Sequence, residues 1–326
     1  MRMRQGGAVD GFLVGMVGAV LLASLLPNLG RTGGWLHLDV VGDVGVFLIF
    51  FLHGMGLSPR NLMHGASRWK LHLVIQLCTF VVFPLWWLAL NLAVGRYIPH
   101  DLLLGFFYLA VLPSTVSSSV AMTSLARGNV AAAVLNATLS TLLGVALTPL
   151  LASLVFGSSA DGSAMDLGHT MLKVARMLLL PFVLGQVLRP LLGTLFQRIK
   201  PITTKVDRGV ILLLVLCSFS DSVADGLWSK HGIGLMAMTA VGVSLFLFPL
   251  LWVTRRVARA MGFPIEDEIV AVFCGSKKTL ASGVPMARLL FGGNPSMGVL
   301  VLPIMFYHQL QLFVCSVLAK RYAERQ

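Results

Sequence analysis

FCGSKKTLASGVPMARLLF, Phe273–Phe291, carries two adjacent lysines, Lys277 and Lys278, inside an otherwise apolar segment. An ionisable group at membrane depth costs at least ~2.5 kcal/mol on insertion scales, so it persists where it faces a cavity or a partner. Gly275, Ser276 and Thr279 beside the lysines sustain a regular helix poorly. The stretch therefore reads as a polar site built around a broken membrane helix.

The surrounding chain agrees with a lipid solvent. Its 326 residues are 56% hydrophobic and 12% charged, about half the charge of an average soluble domain. Mean hydropathy is +0.85. Apolar runs of membrane-spanning length recur from end to end, with expected helices near residues 12–30, 40–58, 70–94, 101–126, 129–156, 168–192, 203–223, 231–254, 266–291 and 295–319. The first follows Met-Arg-Met-Arg but is too long for a signal-peptide core and reads as an uncleaved helix. Cys78, Cys217, Cys274 and Cys315 lie in hydrophobic runs without metal-ligand spacing and read as small buried hydrophobes. The net charge of +12 comes without a basic tail or basic–aromatic interleaving, which argues against nucleic-acid binding.

The basic residues set an orientation. With both termini cytoplasmic, 17 Lys and Arg fall on the inner side of the expected helices and 3 on the outer. The protein is thus expected in the inner membrane, its basic loops against anionic lipid. The ten spans divide into two halves of five, whose starts correspond at offsets of 156 to 166 residues, about half the chain. Five is odd, so the second half inserts upside down. Inverted repeats of this kind mark secondary transporters, whose sites lie where corresponding helices are discontinuous. The expected fold is therefore all-α and polytopic, with ten transmembrane helices in two inverted five-helix repeats.

Two breaks in register agree with this. Pro113 is followed by Ser114, Thr115, Ser117, Ser118 and Ser119 in the fourth span; Gly275–Thr279 is followed by Ser282, Gly283 and Pro285 in the ninth. Proline removes an amide donor, and glycine and serine loosen the helix, so both segments can unwind and expose half-helix ends. The positive ends of the second half-helices would attract an anion. Candidate site residues are Thr115, Ser117, Ser118, Ser119, Asn136, Gly275, Ser276, Lys277, Lys278, Thr279, His308 and Gln309, with Pro113 and Pro285 as the helix breakers. Weaker candidates are Gln311 in the last span and Thr138, Ser140 and Thr141 in the fifth. Asp39, Asp43, Asp221 and Asp225 read as interfacial charges, and His53 and Gln76 are given no role. No His-Glu-x-x-His helix, metal cluster or convincing Ser-Lys or Ser-His pair accompanies these residues, so no enzyme and no cofactor is expected.

The motifs Pro113–Ser119, Ala126-Arg-Gly-Asn-Val130, Gly275–Pro285 and Tyr307-His-Gln-Leu-Gln-Leu312 resemble the bile acid:sodium symporter family. The match is to its sodium-bile-acid-symporter-like branch, which is related to member seven of the vertebrate solute carrier ten family. The likeness covers essentially the whole chain. It implies that the unwound fourth and ninth helices cross, and that a core (residues 70–156 and 231–319) rocks against a panel (12–58 and 168–223). The transporting relatives hold sodium with a Ser-Asn pair after the fourth-helix proline and with a Glu and a Gln on the ninth. Here those positions read Ser118-Ser119, Phe273 and Lys277. Losing the carboxylate removes the charge that offsets a cation, which places sodium coupling in doubt. The ammonium of Lys277 is instead expected where the ion would sit, bridging Ser118, Ser119, Asn136 or Thr79, with a proton as the alternative coupling ion. Thr79, Ser118 and Ser119 are the oxygens that would serve if sodium does bind. The expected activity is alternating-access transport of a small organic anion. A sodium-coupled symporter of the bile-acid type and a non-transporting membrane regulator or receptor are the alternatives.

Overall fold

A chain immersed in hydrocarbon must pair its backbone polar groups internally, and helices do so within each segment. The computed structural model of the protein describes residues 11–56, 68–156, 167–224, 227–291, 294 and 296–325, and among them there is no strand. Besides a single helical turn at Pro27–Gly30, the helices are α1 (Gly11–Leu25), α2 (Leu38–Gly56), α3 (Trp69–Tyr97), α4 (His100–Val111), α5 (Ser117–Leu125), α6 (Val130–Phe156), α7 (Leu167–Ala224), α8 (Leu227–Ala260), α9 (Ile265–Ser276), α10 (Leu280–Phe291) and α11 (Met297–Ala323). Among the described residues, four helical stretches are long and apolar enough to cross a bilayer: Trp69–Tyr97, Val130–Val155, Gly232–Ala260 and Met297–Ala323. Large apolar side chains such as Leu92, Leu191 and Phe313 point outward, as lipid-facing residues do. The protein is an all-α integral membrane protein.

Helix α7 departs from expectation. It runs helically through both the sixth and seventh expected spans, 58 residues in all. Straight, that length would reach about 87 Å, nearly three hydrocarbon cores. Yet both of its halves pack on α2, where Gly54 abuts the Phe182 backbone and Gly45 abuts the Val210 side chain. Those contacts are nine residues apart on α2 and twenty-eight apart on α7, so α7 doubles back between them. The two spans are limbs of one bent helix rather than helices separated by a loop.

The limbs approach α2 closely because the contact residues are glycines. A Cβ on Gly54 would collide with the carbonyl oxygen of Phe182, and one on Gly185 with that of Phe51. Backbone atoms cannot step aside as a side-chain end can, so small residues fix this seam. Gly54→Val is expected to lower the melting temperature of the purified protein by more than a surface Ala→Val, because overpacking costs about 1–3 kcal/mol. Equal melting of the two variants would show that the seam is loose.

The two anticipated breaks are present. The fourth span divides between α4, ending at Val111, and α5, starting at Ser117. The ninth divides between α9, ending at Ser276, and α10, starting at Leu280. Pro113 lies in the first break as expected. Pro285 does not lie in the second: it sits inside α10. It forfeits only one intrahelical bond there, to the Ala281 carbonyl. Unwinding instead falls at Lys277–Thr279, where Lys277 is extended with φ −93° and ψ 150°.

A third irregularity was not anticipated. Residues Cys78–Val82 in α3 form a π-turn just ahead of Pro84. The amide of Phe83 donates to Cys78 O. Pro84 has no amide to offer, so the carbonyl of Thr79 is left without a helical donor.

Candidate functional site

The breaks meet in the buried interior, and many of the backbone carbonyls freed there acquire donors. Where α4 ends, Ser114 N–H turns away from the helix and donates to Ser140 Oγ at 2.9 Å, which frees Ala110 O. Val111 O accepts from Thr148 Oγ1 at 2.8 Å. Pro113 O accepts from the amide of Thr279 at 3.0 Å, a direct backbone bond between the two breaks. On the other side, Ser276 O accepts from Tyr307 Oη at 2.6 Å, and Phe273 O from Ser119 Oγ at 3.2 Å. Gln311 pairs with the backbone of Lys278 twice, accepting its N–H at 2.9 Å and donating to its carbonyl at 2.8 Å.

Both lysines are fully buried at this junction, so neither extends to a membrane surface. Successive side chains in an extended segment point to opposite faces, and the two amines part accordingly. Lys278 Nζ donates to Thr79 O at 2.7 Å, Ala110 O at 2.8 Å and Leu112 O at 2.7 Å, with the Phe83 ring centroid 4.0 Å away. Those bonds use all three ammonium donors. Two of the three acceptors are carbonyls that Pro84 and the Pro113 turn deprive of helical partners. Lys277 Nζ goes the other way, donates to Ser118 O at 2.9 Å and lies 5.5 Å from the Phe273 ring centroid. Its two remaining donor positions have no protein acceptor among the described residues.

The expected bridging by Lys277 is thus divided between two residues. Lys277 reaches Ser118, through the backbone oxygen, whereas the Thr79 oxygen goes to Lys278. Thr79 Oγ1 donates within its own helix to Ile75 O at 2.8 Å. Asn136 is not drawn in: its side-chain amide donates to Ala132 O at 3.0 Å, and its own carbonyl accepts from Gln76 at 3.3 Å. Thr115 and Ser118 share a hydroxyl hydrogen bond of 2.6 Å beside Lys277, and the Ser117 side chain lies outside the described residues. Gly275 packs against Thr254 and Cys78 and lets α9 sit close to α8. Ser276 Oγ bonds back to Val272 O at 2.6 Å, and Thr279 Oγ1 pairs with Ser282 Oγ at 3.4 Å. His308 Nδ1 lies 3.2 Å from Gln311 Nε2, and the amide nitrogen of Gln309 is buried without a hydrogen-bond partner among the described residues. Gln311, Tyr307 and Phe83 do more at the crossing than the sequence indicated. Pro84 was the overlooked signal, as was the spacing that puts Tyr307 and Gln311 one turn apart on one face of α11.

Charged residues gather at the two ends of the molecule. At one end the acidic first turn of α9 binds basic residues from several segments: Asp267 pairs with Arg68, Glu268 with Arg255 at 3.2 Å and Arg259 at 2.9 Å, and Glu266 with Arg325 at 3.8 Å. Tyr322 donates to Glu268 at 2.8 Å. The charge bias had placed these four arginines on a single side, although Arg255 and Arg259 lie within α8 rather than in a loop. At the other end Arg288 of α10 faces Asp43 of α2 and Asp221 of α7, each at 3.9 Å, and Thr32 at 3.4 Å. Asp43 and Asp221 therefore do more than sit at an interface. The Asp39 side chain and Asp225 lie outside the described residues.

Comparison with known proteins bears on what such a crossing serves. The model of the SBF-like CPA transporter family matches residues 10–324, which is nearly the whole chain. The chain belongs to this transporter family. Among the proteins similar to this chain, an uncharacterised Pseudomonas aeruginosa protein, PA2026, is 47% identical over 97% of this chain and 94% of its own. The putative symporter YfeH of Escherichia coli is 42% identical over 96% of this chain and 93% of its own length. Rat sodium/bile acid cotransporter 7 is 32% identical over 98% and 94%. The likeness drawn from the Pro113–Ser119 and Gly275–Pro285 motifs is thereby shown, and the protein is a transporter of the bile acid:sodium symporter type.

Proposed function

We propose that the protein is a secondary transporter that moves a small organic anion by alternating access, with Lys277 as the anion's contact at the helix crossing. The observation that carries this is the unequal state of two adjacent buried ammonium groups. Lys278 is saturated by three carbonyls, while Lys277 has, among the described residues, one protein acceptor and two donors to spare. A buried cation with unused donors, at the meeting point of two unwound helices, suits a carboxylate, sulfonate or phosphate ester. The ten spans, the inverted repeat and the division into core and panel frame this reading. So does an inner-membrane location with both termini in the cytoplasm and lipid around the shell.

Sodium fits the crossing poorly. The oxygens that would hold it include Thr79 O, which an ammonium already uses, and no carboxylate bonds to either lysine among the described residues. Transport is accordingly proposed to be uncoupled or proton-linked. Arg288 supplies the alternating-access element. It joins α10, on the core side, to Asp43, Asp221 and Thr32 on the panel side, and it is 8% exposed. Such a bridge holds one end of the crossing shut and must part for the other state.

A sodium-coupled bile-acid symporter is the second reading, favoured by the name of the rat relative. Reconstituted vesicles separate the two. Thermal shift against bile acids, steroid sulfates and dicarboxylates selects the anion, and its uptake is then followed with sodium or proton gradients imposed. Uptake that is equal with and without sodium supports the proposal. Uptake only down a sodium gradient supports the second reading. Binding without uptake under any gradient would leave a receptor and sink both.

A further inference from the structure

Three backbone carbonyls converge on Lys278 Nζ at 2.7, 2.8 and 2.7 Å, and an aromatic face lies beside it at 4.0 Å. Carbonyl oxygens arranged around a point are how channels and carriers replace the hydration shell of a bare cation. The π-face adds attraction for a positive charge of any kind. Ala110 O and Leu112 O lie at the C-terminal end of α4, whereas Thr79 O lies inside the continuous helix α3. Thr79 O is released by the π-turn and Pro84, and Ala110 O by the Pro113 turn with Ser114 bonded to Ser140. Leu112 O belongs to the extended link itself. Without a cation these carbonyls would face each other, buried and unpaired.

We propose that Lys278 is a tethered counter-ion: its ammonium fills a monovalent-cation site built by α3 and the end of α4, so that no free ion binds there. The site is a property of the backbone, with Thr79, Ala110 and Leu112 contributing only main-chain oxygens. The lysine stem fixes the occupant, and with it the union of α3, α4 and the α9–α10 link. Lys278 thus sets the ion specificity of the crossing by removing the choice. It also explains why two lysines are present, since only one is left to meet a transported anion. That last step rests on the carrier reading; the filled cation site does not.

The test compares melting temperatures of wild type, Lys278→Ala and Lys278→Met in the chlorides of sodium, potassium, ammonium and choline at equal ionic strength. Lys278→Ala is also expressed, extracted and purified in ammonium chloride throughout. Wild type is expected to melt at one temperature in all four salts. Lys278→Ala vacates the site and is expected to melt roughly 5 °C or more lower in choline, recovering in ammonium or another small cation. Lys278→Met fills the space without a donor and stays low in every salt. A sodium-specific rise in wild type, or Lys278→Ala equally low in all four salts, overturns the proposal. So does failure to recover folded Lys278→Ala in any of them, because the vacated site would then not accept a free cation. The readout needs no substrate. A protein that transports no anion yet shows the rescue would lose the carrier reading and keep the tethered ion.

Discussion

Lys277→Ala is expected to reduce anion uptake in vesicles roughly 100-fold while leaving the melting temperature close to that of wild type. The magnitude comes from the loss of one buried charge-assisted contact, about 2–5 kcal/mol, at about 1.4 kcal/mol for each factor of ten. Stability is spared because, among the described residues, Lys277 donates to one protein acceptor, Ser118 O, which sits within the first turn of α5. Truncating the residue also removes a desolvated charge from the interior, which offsets the lost bond. Lys277→Gln keeps a donor without the charge and should recover a small part of the uptake. Uptake of the alanine variant at the wild-type rate would exclude Lys277 from the anion site.

Gln311→Leu is expected to do the reverse and act through stability. Gln311 is fully buried and satisfies both the amide and the carbonyl of Lys278. Leucine is similar in bulk but leaves both backbone groups orphaned, at about 1–3 kcal/mol each. A drop in melting temperature of roughly 5 °C or more follows. Gln311→Glu tests the polarity of the pair: an ionised carboxylate still accepts the amide N–H but opposes the Lys278 carbonyl. It should fall between wild type and leucine. If both variants melt with wild type, the link between the two half-helices does not depend on this side chain.

Much of this architecture was legible in the residues. Hydropathy placed the long helices, and the bias of arginine and lysine grouped loops that the acidic start of α9 does gather at one end. Proline with hydroxyl clusters located the first break. The second break was found through the lysines and glycine, while Pro285 pointed too far along the chain, since the helix continues through it as it does through Pro149, Pro249 and Pro303. What sequence could not apportion was the work of Lys277 and Lys278. Neighbours in an extended link face opposite ways, and only the three-dimensional crossing says which way leads to α5 and which to α3. The π-turn was hidden for a related reason. It changes which carbonyls are free without changing hydropathy. The bend in α7 was hidden because its connecting stretch keeps helical geometry where a loop was expected.

Unwound stretches of membrane helices are commonly regarded as the soft places where a transporter gives. The opposite holds at this crossing. Thr279 is hydrogen-bonded to Pro113, Lys278 clasps α3 and α4, and Gln311 and Tyr307 grip the α9 side from α11. In mechanical terms the breaks are welds rather than hinges. If the protein works by the proposed alternating access, the motion that turns Lys277 from one membrane face to the other must carry both breaks together as a single rigid insert. On the carrier reading, the compliance then has to lie where the core meets the panel, at contacts such as the Arg288 bridge to Asp43 and Asp221.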